Sequence, residues 1–263
     1  MIMKNLIEVL LRNFYMNNIL QIKDMHKTFG TKKVLQGVNL NIVQGKCTAI
    51  FGLSGGGKST IIKHIVGLLK PTSGDIIYED SKNIATMNEK ELRALRKEVG
   101  FLFQSGALFD SMNVFDNVAF PLKEYTSLSK NEIEKEVLRH LDIVGLDSLV
   151  VRNLFPDELS GGMRKRVGLA RTIILKPKVL LYDEPTSGLD PITSDTISQL
   201  ILKIQNEFDT TSILISHDIK ETFKSADYFA MLYDGVIVEY GDANHFKNSK
   251  VQIVQDFLEG RSS

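Results

Sequence analysis

Gly52-Leu53-Ser54-Gly55-Gly56-Gly57-Lys58-Ser59 directly follows the apolar run Thr48 to Phe51 and directly precedes a helical pattern. The string fits G-x-x-x-x-G-K-[ST], and a strand before it with a helix after it is the setting of a phosphate-binding loop. Its glycines leave backbone N–H groups free to converge on phosphate oxygens, and the helix behind them adds the positive end of its dipole. Lys58 supplies a full charge for the β and γ phosphates of a nucleoside triphosphate. Ser59 offers a hydroxyl to Mg²⁺, a hard ion that keeps several waters and takes few protein ligands. A loop of this kind sets the fold class as α/β with a parallel sheet.

Working outward, Lys46 to Phe51 reads as the strand that feeds the loop, and Ser59 to Leu69 as a helix stopped by Pro71. Ile19 to Asp24 and Val34 to Val43 alternate in the manner of exposed or edge strands. Lys178 to Tyr182 is a continuous apolar run of the kind buried on both faces of a parallel sheet, and Ser212 to Ile215 repeats it. Asp190 before Pro191 reads as an N-cap with proline at the first helical position. This strand–helix–strand order implies right-handed crossovers. Ser129 and Glu132 form a capping box ahead of Ile133, Val137 and Leu141, which share one helical face. They open a mainly helical insert at about 105–172 in a single core without repeats.

Composition narrows the function classes. The 263 residues carry 32 Lys plus Arg against 32 Asp plus Glu, so no global field draws the chain to nucleic acid or anionic lipid, and anion binding must be local. No apolar run reaches the ~18 residues of a membrane-spanning helix. Residues 1–15 are apolar but contain Lys4, Glu8 and Arg12 and lack a small-residue cleavage site, which argues against a secretory signal. Met16 is an alternative first residue, and Leu6, Val9, Leu10 and Phe14 suit an amphipathic docking helix. The lone Cys47 fits a reducing compartment as a small buried hydrophobe.

Asp183 and Glu184 end the buried strand that starts at Lys178. Adjacent acids there are costly unless a cation and a reacting water lie beyond them. Asp183 is therefore assigned to Mg²⁺, and Glu184 to the attacking water as general base. His217 follows Ser212 to Ile215 and reaches the same sheet edge, where a contact to the γ phosphate and a satisfied core histidine are equally open readings. His26, His64, His140 and His245 read as surface or boundary residues. Leu159-Ser160-Gly161-Gly162-Met163 resembles a second phosphate-facing helix start, with Arg164, Lys165 and Arg166 crowded where the dipole disfavours cations. An anionic partner would relieve that conflict; a solvated basic face is the alternative.

The ordered set Gly52 to Ser59, Gln104, Leu159 to Gly162, Lys178 to Glu184, Ser187 to Asp190 and His217 resembles an ABC-transporter ATPase subunit over residues 17 to about 240. The resemblance implies a RecA-like P-loop NTPase core with an antiparallel β subdomain and an inserted helical subdomain. It makes these segments the Walker A loop, the Q-loop, the signature, the Walker B strand with catalytic Glu184, the D-loop with Asp190, and the H-loop. Phe29 stands where the family stacks an aromatic on adenine. Gly52, Leu53, Ser54, Gly55, Gly56, Gly57, Lys58, Ser59 and Thr60 bind the nucleotide. Glu184, His217 and Gln104 serve hydrolysis, and Ser59, Gln104 and Asp183 face Mg²⁺. Members dimerise head to tail, so Ser160, Gly161 and Gly162 of one copy close the ATP site of the other.

Within that family, Gln104 to Phe109 and Met112 to Asn117 are similar to the Mla-type, MCE-associated phospholipid transport ATPases. Met163 points the same way, replacing the glutamine common in the signature. The similarity implies an integral permease, a STAS-domain protein and an MCE-domain lipid carrier as partners, no nucleic acid, and a place on the cytoplasmic face of the inner membrane. It divides the chain into an extension at 1–16, an ATPase domain at 17–242 and a helical tail at 243–263. Val251, Val254, Phe257 and Leu258 give that tail an apolar stripe whose default is packing on its own domain, with a second subunit or the STAS protein as the alternative. An importer for another solute and a soluble non-transport ABC ATPase are the competing functions.

Overall fold

The computed structural model describes residues 17–261, so the readings of residues 1–16 lie outside the described residues. Two sheets organise the chain. In the first, β2 (Lys32–Val43), β1 (Asn18–Phe29), β4 (Ser73–Tyr78) and β5 (Lys82–Asn83) are neighbours in that order and antiparallel. In the second the order is β10 (Val236–Asp242), β9 (Tyr228–Tyr233), β3 (Cys47–Gly52), β8 (Thr211–Ile215), β7 (Val179–Asp183) and β6 (Val99–Leu102). All of its pairings are parallel except β10 with β9. Every residue of β3, β7 and β8 is buried, as continuous apolar runs between two covered faces require.

Helix α1 (Lys58–Ile65) follows β3, and α2 (Glu89–Glu98) precedes β6. Between β6 and β7 run α3 (Val114–Tyr125), α4 (Lys130–Ile143), α5 (Ser148–Val151) and α6 (Gly161–Ile173). α7 (Pro191–Phe208) joins β7 to β8, α8 (Ile219–Ser225) precedes β9, and α9 (Ala243–Lys247) and α10 (Gln252–Leu258) close the described chain. The parallel α/β sheet, the antiparallel sheet and the helical insert that the sequence predicts are all present. One apolar core lies between the two sheets with α1 and α2, and a second lies between the parallel sheet and α3 to α7.

Local chemistry sets several boundaries. The Ser129–Glu132 capping box is present at the start of α4. Asp190 caps α7 by accepting from the N–H groups of Ile192 and Thr193, each at 3.0 Å. α1 ends at Ile65, short of the expected Leu69. Gly67 takes φ +68° just beyond it, and the Leu68 N–H turns back to the Lys63 carbonyl at 2.8 Å. β1 is longer than expected and interior to its sheet, and its register slips between Lys23 and His26, where Asp24 takes φ 45°.

Gly74 lies against that bulge with φ +90°, and a Cβ there would stand 2.1 Å from the Asp24 carbonyl oxygen. Gly74→Ala is therefore expected to lower unfolding stability by about 2 kcal/mol or more, the range of left-handed strain plus displacement of a paired strand. Thermal or urea melting checks this, and an unchanged midpoint would show that the bulge relaxes freely.

Cys47 is fully buried and its thiol is pushed up to about 12, by burial first and then by nearby Asp227. Two histidines differ from expectation. His64 and His140 are fully buried rather than at the surface. Each places Nδ1 2.7 Å from the carbonyl one helical turn earlier, Thr60 and Glu136 respectively, so the ring is partly satisfied by its own helix. Burial lowers the pKa of both, favouring the neutral ring that a core tolerates. The tail follows its default: Val254 is fully buried and the Phe257 ring lies 5.1 Å from Phe51 on the chain's own β3.

Candidate functional site

β3 delivers the glycine-rich loop to the carboxyl edge of the parallel sheet, where ligands of open α/β sheets bind. Gly57 is the N-cap of α1 with φ +103°, and no side chain caps that helix start. A Cβ at Gly57 would meet Leu35 at 3.0 Å and Val34 at 3.1 Å, so β2 flanks the loop. Leu53, Ser54 and Gly55 are exposed at its tip, while Lys58 is only 4% exposed. The Lys58 ammonium donates to the carbonyls of Gly52 at 2.8 Å and Leu53 at 2.9 Å, which folds the side chain over the loop. Burial lowers its pKa, and Glu184 and Asp183 pull in the opposite direction.

The next strands bring the acids. Asp183, at the end of β7, is 8% exposed and accepts from the Ser59 hydroxyl at 2.8 Å. Burial raises its pKa, the Ser59 hydrogen bond opposes that, and neighbouring Glu184 adds to it. Glu184 leaves the strand with φ +49°, while its N–H still donates to the Ile215 carbonyl at 3.0 Å. Its carboxylate is gripped from two sides. Oε1 lies 2.7 Å from His217 Nε2, and Oε2 accepts from Gln104 Nε2 at 3.1 Å. Gln104 Nε2 also donates to the Ser187 hydroxyl at 3.1 Å. Lys58, Ser59, Asp183, Glu184, Gln104 and His217, scattered through the chain, thus converge at one edge, and of the two readings of His217 the core histidine is excluded.

The other expected site residues lie apart from this cluster. Phe29 is half-exposed at the β1–β2 turn, with Lys27 Nζ 4.9 Å from its ring centre. Thr60 lies in the first turn of α1, where its carbonyl is the one that His64 meets. Ser160 caps α6 by accepting from the Met163 N–H at 3.3 Å. A Cβ at Gly161 would meet Leu189 at 3.4 Å, and one at Gly162 would meet Thr193 at 2.5 Å, so this glycine pair packs on the Ser187–Asp190 segment and α7 of its own chain. Ser160, Gly161 and Asp190 are exposed there beside Ile192, which is 81% exposed.

The basic triplet is not a wholly solvated face, since Lys165 is buried. Arg164 Nε donates to the Leu159 carbonyl at 3.1 Å, Arg166 to that of Gly145 at 3.1 Å, and buried Lys165 to that of Ser187 at 2.6 Å. Backbone oxygens thus partner all three cations within the chain. Sequence reasoning also missed a clamp on the segment after Gln104. Fully buried Asn117 accepts from the Phe109 N–H at 2.8 Å and donates to the carbonyls of Phe109, Met112 and Asn113. Arg171 holds the carbonyls of Gly106 and Ala107 at 2.8 and 2.9 Å. An arginine within an otherwise apolar helical stretch was the available signal.

A sequence profile of the family described as ABC transporter matches residues 35–187. The chain belongs to the ABC transporter family. It is an ATP-binding, ATP-hydrolysing subunit of that family. Among its relatives, the intermembrane phospholipid transport system ATP-binding protein MlaF of Haemophilus influenzae is 40% identical, with 93% of this chain and 92% of that protein covered. The "Probable ribonucleotide transport ATP-binding protein mkl" of Mycobacterium leprae is also 40% identical, but 69% of that protein is covered. Of the solved structures, a dimeric post-hydrolysis ATP-binding cassette, MJ0796 bound to ADP and Pi, is 31% identical with TM-score 0.78 over 85% of this chain and 98% of that one. The cassette cbiO1 of Clostridium perfringens is 32% identical with TM-score 0.79 over 92% and 95% of the two chains. No helix among the described residues of this ABC ATPase is long and apolar enough to cross a membrane.

Proposed function

We propose that two copies of this ABC ATPase close on two ATP molecules at the cytoplasmic face of an inner membrane and energise a permease that moves phospholipid across a Gram-negative envelope. The observation that carries the motor is the convergence of Lys58, Ser59, Asp183, Glu184, Gln104 and His217 at one sheet edge. The lipid cargo draws its support from the near end-to-end 40% identity to MlaF, where the mkl relative is covered only in part.

In this reading Phe29 stacks on adenine, and Gly52 to Thr60 with Lys58 hold the phosphates. Ser59, Asp183 and Gln104 offer hard oxygen ligands for Mg²⁺. That donor set fits, because a buried carboxylate raised in pKa by desolvation gains most from a cation beside it. Bound there, Mg²⁺ would neutralise phosphate charge during phosphoryl transfer. No cluster of three metal-ligating His, Cys, Asp or Glu side chains occurs among the described residues, which suits an ion held largely by phosphates and water.

Glu184, fixed between Gln104 and His217, takes a proton from the attacking water, and His217 is at hand for the γ phosphate. The loop tip is open, and Ser160 and Gly161 are exposed; Ser160, Gly161 and Gly162 of the second copy complete the site. Residues 17–242 form the ATPase domain with the helical subdomain at about 105–172, whose clamped Gly106–Asn113 segment transmits closure to the permease. A STAS-domain protein and an MCE-domain lipid carrier complete the assembly.

Mass spectrometry of the complex purified in detergent through this subunit tests the cargo. Co-isolation of an integral permease, an MCE-domain protein and phospholipid is expected. A periplasmic solute receptor in their place would overturn the lipid reading in favour of an importer.

A further inference from the structure

Lys165 is the fifth residue of α6 and only 5% exposed. Burial lowers its pKa, and the charge of Glu184 counteracts this. A buried ammonium is costly unless its donors are met, so its partners show what it is kept for. Nζ donates to the Ser187 carbonyl at 2.6 Å and lies 3.5 Å from the carbonyl of Glu184. Both oxygens belong to one turn, which the Ser187 N–H closes onto the Glu184 carbonyl at 3.1 Å.

That turn aims the Glu184 carboxylate. Glu184 holds φ +49°, a conformation that a side-chain-bearing residue keeps only where its surroundings over-determine it. Three anchors do so here. The sheet holds the Glu184 N–H through Ile215, Gln104 holds the Ser187 hydroxyl, and Lys165 holds the two carbonyls. Of these anchors Lys165 alone comes from α6, the helix whose first residues are Gly161 and Gly162. The segment after Gln104 rests on the same helix, since a Cβ at Gly106 would lie 3.1 Å from the Arg164 carbonyl oxygen.

We infer that Lys165 is a positioning residue that ties the signature helix to the Glu184–Ser187 turn, so that seating α6 on the second copy's nucleotide sets the aim of Glu184 in its own site. This deepens the ATPase reading and rests on it. The ammonium does not touch the reacting atoms. It fixes where the proton acceptor stands, and a misplacement of about 1 Å at such a group costs on the order of 10²-fold in rate.

The test is Lys165→Met in the complete transporter, with kcat, KM and nucleotide affinity measured beside Lys165→Arg and Glu184→Gln. For Lys165→Met, kcat is expected to fall about 10- to 10²-fold while ATP affinity stays within about twofold, because the phosphate loop is untouched. Lys165→Arg, which keeps charged donors at that place, is expected to recover most of the rate. Should Lys165→Met fail to fold, Lys165→Gln, with one amide donor, is measured instead against the same expectation. Wild-type kcat in the uncharged variant overturns the inference. So does a loss of nucleotide affinity as large as the loss of kcat, or an arginine variant no faster than the methionine one. Wild-type turnover in Glu184→Gln would sink the underlying reading itself, whereas a dead Glu184→Gln beside a fully active Lys165→Met would sink only the role of Lys165.

Discussion

Glu184→Gln is expected to bind ATP with near wild-type affinity and to lose about 10³-fold in kcat, within the range for removal of a general base. The amide is isosteric, so the turn and the contact with Gln104, 3.1 Å from Oε2, can persist. It cannot accept a proton from water. Nucleotide affinity resides elsewhere, in the loop and the Lys58 ammonium seated on Gly52 and Leu53. The variant should therefore accumulate as an ATP-loaded closed dimer, with hydrolysis as the missing step. Steady-state phosphate release, equilibrium nucleotide binding and size-exclusion in ATP measure the three parts of this expectation. Unchanged phosphate release would remove Glu184 from its role and leave the cluster around Gln104 and His217 without a chemical purpose.

What the sequence made legible follows from how each feature is encoded. The phosphate loop is contiguous and needs only the strand before it and the helix behind it, so its string carries its geometry. The acids at Asp183 and Glu184 were legible because a fully apolar strand fixes its own end, and two charges cannot sit inside it. Most of the features that escaped are made by backbone oxygens, which every residue carries and no residue type announces. Lys165 looked like part of a basic face because nothing in the sequence places the Ser187 carbonyl beside it. Arg171 meets the carbonyls of Gly106 and Ala107 only once α6 packs beside that segment, and Asn117 reaches back from α3 to the loop just ahead of it. His64 and His140 read as surface residues because amphipathic spacing ranks histidine as polar, whereas a carbonyl one turn earlier partly satisfies the ring and lets it be buried. The outer end of α1 failed for another reason: a glycine in the left-handed region overrode a periodic pattern that continued past it.

Lys58→Ala is expected to separate from Glu184→Gln by failing one step earlier, at binding. A hydrogen bond from a charged donor to an ionised group contributes about 1.5–3 kcal/mol net, so its loss at the phosphates corresponds to roughly 10- to 10²-fold weaker ATP binding. Two further effects act in the same direction. The ammonium bridges the Gly52 and Leu53 carbonyls, so its removal loosens the loop whose N–H groups must converge on phosphate. It is also a positive charge that favours ionised Asp183, a carboxyl that burial already pushes toward its neutral form. Without it Asp183 is a poorer partner for a cation, and Mg²⁺-dependent affinity should fall more than affinity measured in chelator. Equilibrium binding of a fluorescent nucleotide, with and without Mg²⁺, reads both losses. Melting in the absence of nucleotide reports whether the scaffold is intact, as expected for a site that faces ligand rather than core. Wild-type affinity in this variant would mean that the glycine-rich loop is not where the triphosphate is held. In that case the convergence of Ser59, Asp183 and Glu184 behind it would need a different ligand to explain it.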